Sequence, residues 1–468
     1  MRRILTRGGR LLSLTLALIF LLSAAGLVQA AKPALPADLD ADVARAWFSL
    51  QLKLVKSTPG FSPPVASRAF GYTGVTLYET VLAGMPEYQS LAGQLNELTA
   101  LPQPDAAEEI DWGVAANSAL AAITRALFAN TTDAGQAEIA ALYARFSRQY
   151  GLMLDPAVFS RSDAYGREVA AAIYEWSMSD GGHEGYRRSF PSDYVSPTGV
   201  GFWVPTPRTG GDPQPALQPF WGDNRPFALD SGATCMPSVP PEYSEETQSV
   251  FYREAAEVYE STRALTPEQE AIALFWADDP GQTETPPGHS ISLLTQVLAQ
   301  EEASLALAAE AYARLGIAVA DSFIGCWYAK FQYNLLRPVT YIQSMIDAEW
   351  MPPINTPPFP EYTSGHSVQS AASARVLTDL FGEHYAFTDH THDARGLAAR
   401  SFSSFAEYAE EAAISRLYGG IHYRAAIDQG MDQGECIGSV SAACSFGSIK
   451  RGRRARSPDN TKGRPTGA

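Results

Sequence analysis

Apolar residues recur at intervals of three and four through most of this 468-residue chain, and this period limits the fold more than any other feature. The period is clear in the segments 38–55, 65–82, 112–128, 163–178, 245–263, 290–315, 317–336, 368–381 and 405–418. Ser244 is the expected N-cap of the segment over 245–263. Strand patterns are nearly absent. The sequence therefore predicts an all-α protein built as two packed helical bundles.

A proline- and glycine-rich stretch over 189–241 interrupts the helical pattern and predicts a long ordered loop or a cover. Periodicity also fades beyond Gly434, and the last residues are basic and polar, which predicts disorder. The predicted organisation is a signal peptide over 1–30, an N-terminal helical region containing the loop over 31–240, a catalytic helical domain over 241–447, and a disordered basic tail over 448–468.

The N-terminus predicts export. Four arginines precede an apolar run from Leu11 to Val28, and a small-residue cleavage pattern ends at Ala30. An uncleaved anchor is the alternative, because the run is nearly long enough to span a bilayer. With cleavage, the mature protein is expected to be soluble and periplasmic or extracellular, with no membrane association. The net charge of −16 argues against nucleic acid as a partner.

Four cysteines lack the spacing of a metal site, and one pair could form a disulfide in an oxidising compartment. The sequence does not decide which of them pair. They are Cys235, Cys326, Cys436 and Cys444.

Three polar clusters stand out in the apolar, helical C-terminal part of the chain. They supply cations, a hydroxyl beside a glycine amide, and two imidazoles, which together suit a tetrahedral or trigonal-bipyramidal oxyanion. The clusters contain Lys330 and Arg337, then Ser364, Gly365 and His366, then Arg416 and His422. The seven-residue spacing of the first pair places both side chains on one helix face, with Pro338 disturbing that helix. The second cluster opens a helix, where amides and dipole favour an anion.

In this order the clusters resemble the signature of the vanadium-dependent haloperoxidase and type 2 phosphatidic acid phosphatase superfamily. The resemblance covers roughly 221–434. It implies vanadate as cofactor, with phosphate able to occupy the same site. Five residues would surround the oxyanion, namely Lys330, Arg337, Ser364, Gly365 and Arg416. His422 would supply the nitrogen bound to vanadium, and His366 would act as acid or base.

The resemblance implies a haloperoxidase that oxidises bromide or iodide with hydrogen peroxide to hypohalous acid, which then meets an organic acceptor; chloride stays open. Trp327 and Phe359 would line the halide pocket, although both residues could equally belong to the core. The oligomeric state, a homodimer included, is undecided by the sequence.

Two other functions compete with this one. A soluble acid phosphatase would use His422 as nucleophile and form a phosphohistidine. Phosphatase-type members carry an aspartate four residues after that histidine, whereas this chain has Ala426, so a backbone carbonyl is expected to orient His422 instead. A non-catalytic phosphate-binding protein is the third hypothesis, and in it His366→Ala would have no effect.

Two further histidine motifs are expected to be structural. His289 follows Pro286-Pro-Gly and is interpreted as a helix-entry or pocket-wall residue. The segment Asp389 to Asp393, with alternating acidic and histidine residues, has the composition of a divalent metal site. Its spacing is more typical of a polar loop.

Overall fold

The structure of the chain, a computed structural model, describes residues 34–152, 154–206 and 211–447. Within these residues the chain forms thirteen α-helices and one short antiparallel sheet, so the all-α prediction is confirmed. The predicted signal peptide and the predicted basic tail lie outside the described residues. In the part that is described, every helix is too short or too polar to cross a membrane.

Five helices make up the N-terminal half. They are α1 (Asp42–Ser57), α2 (Pro63–Val81), α3 (Trp112–Leu127), α4 (Asp133–Gly151) and α5 (Pro156–Ser177). Four of them begin at a side chain that accepts a backbone N–H of the first turn, namely Ser62, Asp111, Thr132 and Asp155. Helix α4 has no counterpart among the predicted helices because it buries only Gly135, Ile139 and Phe146.

Eight helices and the sheet make up the C-terminal half. They are α6 (Val250–Arg263), α7 (Pro267–Phe275), α8 (Thr285–Gln300), α9 (Leu305–Tyr333), α10 (Pro338–Met345), α11 (Gly365–Phe381), α12 (Phe405–Tyr418) and α13 (Arg424–Ala443), with β1 (Phe387–Asp389) and β2 (Arg400–Phe402) between α11 and α12.

Helix α9 joins the two halves. It is 29 residues long and buries almost every side chain. Its backbone lies close to α2 because two glycines meet there. A Cβ on Gly74 would lie 2.4 Å from the carbonyl oxygen of Tyr312, and one on Gly316 would lie 2.8 Å from that of Phe70. This close contact holds the C-terminal end of α9 inside the protein, where the first polar cluster lies.

Helices α11 and α13 also approach closely, and this packing supports the second cluster. A Cβ on Gly434 would lie 2.2 Å from the carbonyl oxygen of Val368. The backbone N–H of Ser364 donates to the carbonyl of Ala426 at 3.0 Å. Helix α13 runs to Ala443, past the point at which the apolar period fades in the sequence.

The stretch over 189–241 is called the cover segment below. Its described residues, which exclude 207–210, are irregular as predicted and contain a 3-10 turn at Trp221–Asp223. Asp321 of α9 anchors it by accepting the backbone N–H groups of Phe227, Ala228 and Leu229 at 2.7, 2.8 and 3.1 Å. Burial raises the pKa of Asp321 to about 6 in spite of these bonds. A disulfide between Cys235 and Cys436 ties the segment to α13.

Two predicted helix boundaries are wrong. The helix expected over 245–263 begins at Val250, because Ser249 and not Ser244 accepts the first-turn N–H. The helical stretch expected over 290–315 is divided between α8 and α9, since Ser304 caps a new helix.

Candidate active site

Lys330 lies in the last turn of α9 and is fully buried. Its ammonium group donates to the carbonyl oxygens of Pro360 at 3.1 Å, Glu361 at 2.9 Å and Thr363. An ammonium group has three hydrogens, so all of them are engaged by the segment that leads into Ser364. Burial lowers the pKa of Lys330 to about 7. Lys330 therefore fixes the position of the second cluster as well as adding a cation beside it.

A turn between two helices, not helical spacing, brings Arg337 next to Lys330. Helix α9 ends at Tyr333, Asn334 adopts a left-handed conformation with φ of 50°, and Pro338 begins α10. The prediction of one helix face for both cations is therefore wrong. Proline favours the first position of a helix, where its missing N–H costs nothing, so it starts α10 here and does not disturb an existing helix.

The guanidinium of Arg337 is fully buried and partly satisfied by backbone. Nε donates to the carbonyl of Phe359 at 2.9 Å, and Nη1 donates to that of Ile421 at 2.9 Å. Nη2 has no hydrogen-bond partner among the described residues. Burial lowers the pKa of Arg337 to about 10, which leaves it charged at neutral pH. Arg337 thus offers a buried, unpaired donor.

Ser364, Gly365 and His366 form the N-terminal end of α11. The Ser364 side chain accepts the Ser367 backbone N–H at 3.3 Å and the Ser367 hydroxyl at 2.9 Å. A Cβ added to Gly365 would meet nothing closer than 3.9 Å, so space is open beside its amide. The first amides and the dipole of α11 point positive charge toward this space.

His366 hydrogen-bonds the backbone of Trp276 through one side of its ring. Its Nε2 has no hydrogen-bond partner within the described residues and lies 3.9 Å from Asp278 Oδ2. Burial, and then the charge of Arg416, hold the pKa of His366 well below its usual range. The imidazole is therefore neutral at pH 7 and available to take up a proton.

Arg416 lies in the last turn of α12 and is almost fully buried. Nη2 donates to the carbonyl oxygen of Trp276 at 2.5 Å, and Nε donates to the Ser415 hydroxyl at 3.0 Å. The helix ends at a turn in which Gly420 has φ of 74°, a conformation that favours glycine. This turn brings His422 back toward the other clusters.

His422 is oriented by a carboxylate that the sequence interpretation missed. Its Nδ1 lies 2.8 Å from Glu361 Oε1, and the same oxygen accepts the backbone N–H of Tyr423 at 2.9 Å. The expectation of a backbone carbonyl in this role is wrong. Glu361 stands three residues before Ser364, but its pairing with His422 spans 61 residues and leaves no local signal.

The tautomer of His422 follows from its two neighbours. Nη1 of Arg337 lies 3.2 Å from His422 Nε2, and a guanidinium can only donate. Nε2 must therefore carry the lone pair, while Nδ1 carries the hydrogen and donates it to Glu361. Burial and the nearby cations hold the pKa of His422 well below its usual range, so the ring is neutral.

An aromatic wall stands beside the cations. The rings of Trp327 and Phe359 have centroids 4.8 Å apart. Lys330 Nζ lies 5.1 Å and Arg337 Cζ 4.9 Å from the centroid of Phe359, which is within cation–π range. Both side chains are buried and both line the cavity described next. Trp327 and Phe359 are therefore part of the buried core and at the same time part of the cavity wall.

Gly365, His366, Arg416 and His422 line a cavity of about 540 Å³. Residues of the cover segment, among them Phe190 and Leu217, line its outer part. The seven residues Lys330, Arg337, Ser364, Gly365, His366, Arg416 and His422 are called the oxyanion pocket below. Three of its members are buried basic side chains that hydrogen-bond mainly to backbone carbonyls and a hydroxyl. Such an arrangement stabilises a bound anion.

A second buried group of charged side chains lies next to the pocket. Asp278, His289, Asp389 and His392, called the Asp–His cluster, are all buried and come from three separate segments. One ligand atom each of Asp278, His289 and His392 lies within 4.8 Å of the others. His390 is not part of this cluster, because it is exposed and pairs with Asp393 at 2.9 Å. Only two residues of the Asp389 to Asp393 segment therefore enter it, together with His289.

Known proteins resemble this chain over most of its length. Residues 310–448 match the family model of the VCPO second helical-bundle domain. The vanadium chloroperoxidase of Curvularia inaequalis is 24% identical over 476 aligned residues, which cover 81% of this chain and 78% of that protein. A solved holo-type bacterial vanadium-dependent chloroperoxidase, 15% identical with a TM-score of 0.60, covers 87% of this chain and 92% of its own and shares the fold.

A closer relation links the chain to a solved structure described as the first bacterial vanadium-dependent iodoperoxidase. The two chains are 38% identical with a TM-score of 0.80. The match covers 89% of this chain and 99% of the other. Similarity of this degree over this share of both chains shows that the chain belongs to the vanadium-dependent haloperoxidase family.

Proposed function

We propose that the protein oxidises iodide or bromide with hydrogen peroxide, and that its oxyanion pocket holds the vanadate on which this activity depends. The observation that carries the proposal is the neutral His422, whose Nε2 lone pair faces a pocket of three buried cations. The product is hypohalous acid, formed from halide, peroxide and one proton with release of water. It then halogenates an organic acceptor outside the pocket.

The residues present fit vanadate. Arg337 Nη2 and His366 Nε2 are buried polar atoms without a hydrogen-bond partner in the described part of the chain. An oxyanion supplies an acceptor for Arg337 Nη2, and a protonated oxygen on it supplies a donor for the lone pair of His366 Nε2. Arg337, Arg416, Ser364 and the Gly365 amide would hold the oxygens, Lys330 would add charge, and His422 Nε2 would bind the metal. When bound, vanadate supplies a Lewis-acidic vanadium(V) centre that activates hydrogen peroxide without changing oxidation state.

The side chains of the pocket have separate tasks in this proposal. Glu361 keeps the hydrogen of His422 on Nδ1 and so keeps Nε2 free as a ligand. The neutral His366 accepts a proton from hydrogen peroxide at Nε2 and returns it when water leaves. Trp327 and Phe359 exclude water from one side, and their rings suit a large polarisable halide. The indole N–H of Trp327 donates to the Leu217 carbonyl at 3.2 Å, so the halide would meet only its ring.

A phosphatase activity is the second candidate, and one observation favours it. Glu361 provides the carboxylate partner whose absence after His422 had counted against a histidine nucleophile. With a phosphate monoester in the pocket, His422 Nε2 would attack phosphorus, and the leaving oxygen would take a proton from His366, which must first be protonated at Nε2. Vanadate should inhibit this reaction, because it would occupy the same pocket.

The deciding experiment uses purified mature protein in phosphate-free buffer titrated with orthovanadate. Peroxide-dependent bromination of a dione and iodide oxidation are followed, with hydrolysis of p-nitrophenyl phosphate measured in parallel. Halide oxidation that requires vanadate supports the proposal. Hydrolysis that vanadate abolishes, without any halide oxidation, would assign the protein to the phosphatases.

Halide choice is tested separately at the aromatic wall. Phe359→Leu removes the ring that contacts both cations, and Trp327→Phe retains an aromatic ring while removing the indole N–H. If the wall selects the halide, the ratio of kcat/KM for iodide to that for bromide changes in Phe359→Leu by about tenfold, the scale of a pocket contact. An unchanged ratio would show that the wall only supports the cations.

We also propose that the protein is exported. The predicted signal peptide motivates this, and the disulfide between Cys235 and Cys436 supports it, since such bonds persist in oxidising compartments. Cell fractionation, with mass spectrometry of the N-terminus of the protein from its own organism, tests the proposal. A cytoplasmic protein that retains its first thirty residues would contradict it.

A further inference from the structure

The Asp–His cluster is a chain of buried hydrogen bonds that begins beside the oxyanion pocket. His289 Nδ1 lies 3.0 Å from Asp278 Oδ2, and its Nε2 lies 2.7 Å from Asp389 Oδ2. His392 Nε2 lies 3.1 Å from the other oxygen of Asp278. All four side chains are at most 2% exposed. The cluster thus joins the loop after α7, the first turn of α8, and the segment that follows β1.

The charge of His289 follows from its partners. Each of its ring nitrogens faces a carboxylate oxygen, and an ionised carboxylate only accepts hydrogen bonds. The ring must donate at both nitrogens, which makes it an imidazolium. Burial alone opposes this charge, but Asp278 and Asp389 outweigh burial and raise the pKa of His289 to about 10. One cation between two anions is therefore held in place from both sides.

The cluster fixes the conformation of residues 276–278, the turn that follows α7. This turn is called the Trp276–Asp278 corner. The imidazolium of His289 stacks on the indole of Trp276, with centroids 4.4 Å apart and planes 20° from parallel. Asp278 has φ of 49°, a left-handed conformation that is costly for a residue other than glycine and persists only where its surroundings hold it. Its two hydrogen-bonded histidines provide that hold.

The same corner supports two residues of the pocket. The backbone carbonyl of Trp276 accepts Arg416 Nη2 at 2.5 Å, and His366 hydrogen-bonds the backbone of Trp276. Asp278 Oδ2 lies 3.9 Å from His366 Nε2. A shift of the corner would therefore move a guanidinium and an imidazole of the pocket together.

We propose that the Asp–His cluster positions Arg416 and His366 by fixing the Trp276–Asp278 corner. Its members are positioning residues, and none of them needs to contact vanadate, peroxide or halide. The proposal deepens the proposed haloperoxidase function and rests on it. A divalent cation between Asp278, His289 and His392 is the competing interpretation, but it would displace the hydrogen between His289 and Asp278 that accounts for the observed contact.

Asp389→Asn gives the sharpest test, because Asp389 touches His289 on the side remote from the pocket. The matched control is Glu79→Gln, another buried carboxylate to amide change, at a residue that binds the Leu91 backbone N–H in the N-terminal half. Vanadate affinity is measured by calorimetry, and kcat and the KM for bromide by steady-state kinetics. Asp389→Asn should weaken vanadate binding and lower kcat by about tenfold each, as outer partners of a site typically do, without changing KM for bromide. Glu79→Gln should leave all three unchanged.

Several outcomes would overturn the proposal. One is a folded Asp389→Asn variant with the affinity and kcat of the wild type. Another is a stoichiometric divalent metal found by mass spectrometry in the purified protein. If Asp389→Asn does not fold, His392→Gln, which removes a single bond to Asp278, takes its place. If the wild type does not oxidise halide, the proposed function fails, but calorimetry with inorganic phosphate still reports whether the cluster positions Arg416.

Discussion

The oxyanion pocket and the Asp–His cluster lie side by side and share the corner at Trp276. They differ in how their buried charges are compensated. The pocket concentrates three cations and leaves Arg337 Nη2 and His366 Nε2 without a hydrogen-bond partner among the described residues. The cluster places one imidazolium between two carboxylates. Unsatisfied buried polar atoms cost folding free energy, and this cost is recovered only when a ligand binds, whereas the cluster satisfies its charges within the fold.

The oxyanion pocket is therefore a site that binds a ligand, whereas the Asp–His cluster is a site that stabilises the fold. Substitutions in the pocket should reduce ligand binding and turnover with little loss of stability, because its cations are costly to bury. Substitutions in the cluster should reduce the stability of the protein. Four experiments test that separation.

The largest effect is expected for His422→Ala. Loss of the nitrogen that binds vanadium should lower vanadate-dependent bromination by about a thousandfold, the upper range for loss of one preorganised contact. The free energy of unfolding in urea should change little. A variant that loses activity only because it unfolds would contradict the comparison, and binding of inorganic phosphate by calorimetry is the control for an intact pocket.

His289→Gln should lower the free energy of unfolding by about 3 kcal/mol, because removing one member of a buried ionic group leaves the others unpaired. The pKa of His289 is raised to about 10, so its stabilisation is complete below its unfolded value of about 6.5 and is lost as pH rises toward 10. The difference between wild type and variant should therefore shrink from pH 6 to pH 10. Ser290→Ala, which removes a neutral hydrogen bond nearby, should show a difference that does not depend on pH.

Vanadate should stabilise the wild type. At a concentration one hundred times its Kd, the free energy of unfolding should rise by about 2.7 kcal/mol, because the ligand binds only the folded protein. Arg337→Met should remove most of this gain while keeping the size of the side chain. A chelator should leave the melting temperature unchanged, since the cluster satisfies its charges without a divalent ion. A fall in the melting temperature on addition of chelator would show that the cluster holds a metal ion, which would contradict the difference drawn between the cluster and the pocket.

Glu361→Gln should have the smallest effect. The amide can still accept from His422 Nδ1, and burial raises the pKa of Glu361 to about 8, so the substitution removes little charge at pH 7. Vanadate affinity should therefore fall by at most about tenfold. Glu361→Ala, which leaves Nδ1–H and the Tyr423 N–H without their acceptor, should have a larger effect in the same calorimetric titration. Equal affinity in all three proteins would show that Arg337 alone fixes the tautomer of His422.

Much of the fold could be predicted because helical periodicity is a local property. The segments around α2, α3 and α12 were predicted within two residues at either end. The predicted helices were wrong where the apolar spacing continued past a helix end, or where a helix has too small an apolar face to show any spacing. Arg337 follows Lys330 at helical spacing, but Asn334 in a left-handed conformation ends the helix between them. Helix α4 buries too few side chains to show an apolar face.

The residues of the oxyanion pocket could be proposed from the sequence because each belongs to a short motif with fixed offsets. Their partners could not be proposed in this way. Glu361 lies 61 residues before His422, and His289 pairs with Asp389 across 100 residues. Pairings of this length depend on how the helices pack, and no local pattern records them. The roles of the pocket residues stay predictions until the substitutions above are made.

The disulfide of the cover segment has a consequence for the lifetime of the enzyme. A protein that releases hypohalous acid is the first target of its own product, and exposed thiolates react fastest. Cys235 and Cys436 are already at the disulfide level, and the free thiol of Cys326, which lies behind Gly365, is 1% exposed. Burial raises the pKa of Cys326, so it stays protonated and unreactive. Cys444, the other free thiol, is only partly buried, so oxidative inactivation by the product should begin at this cysteine.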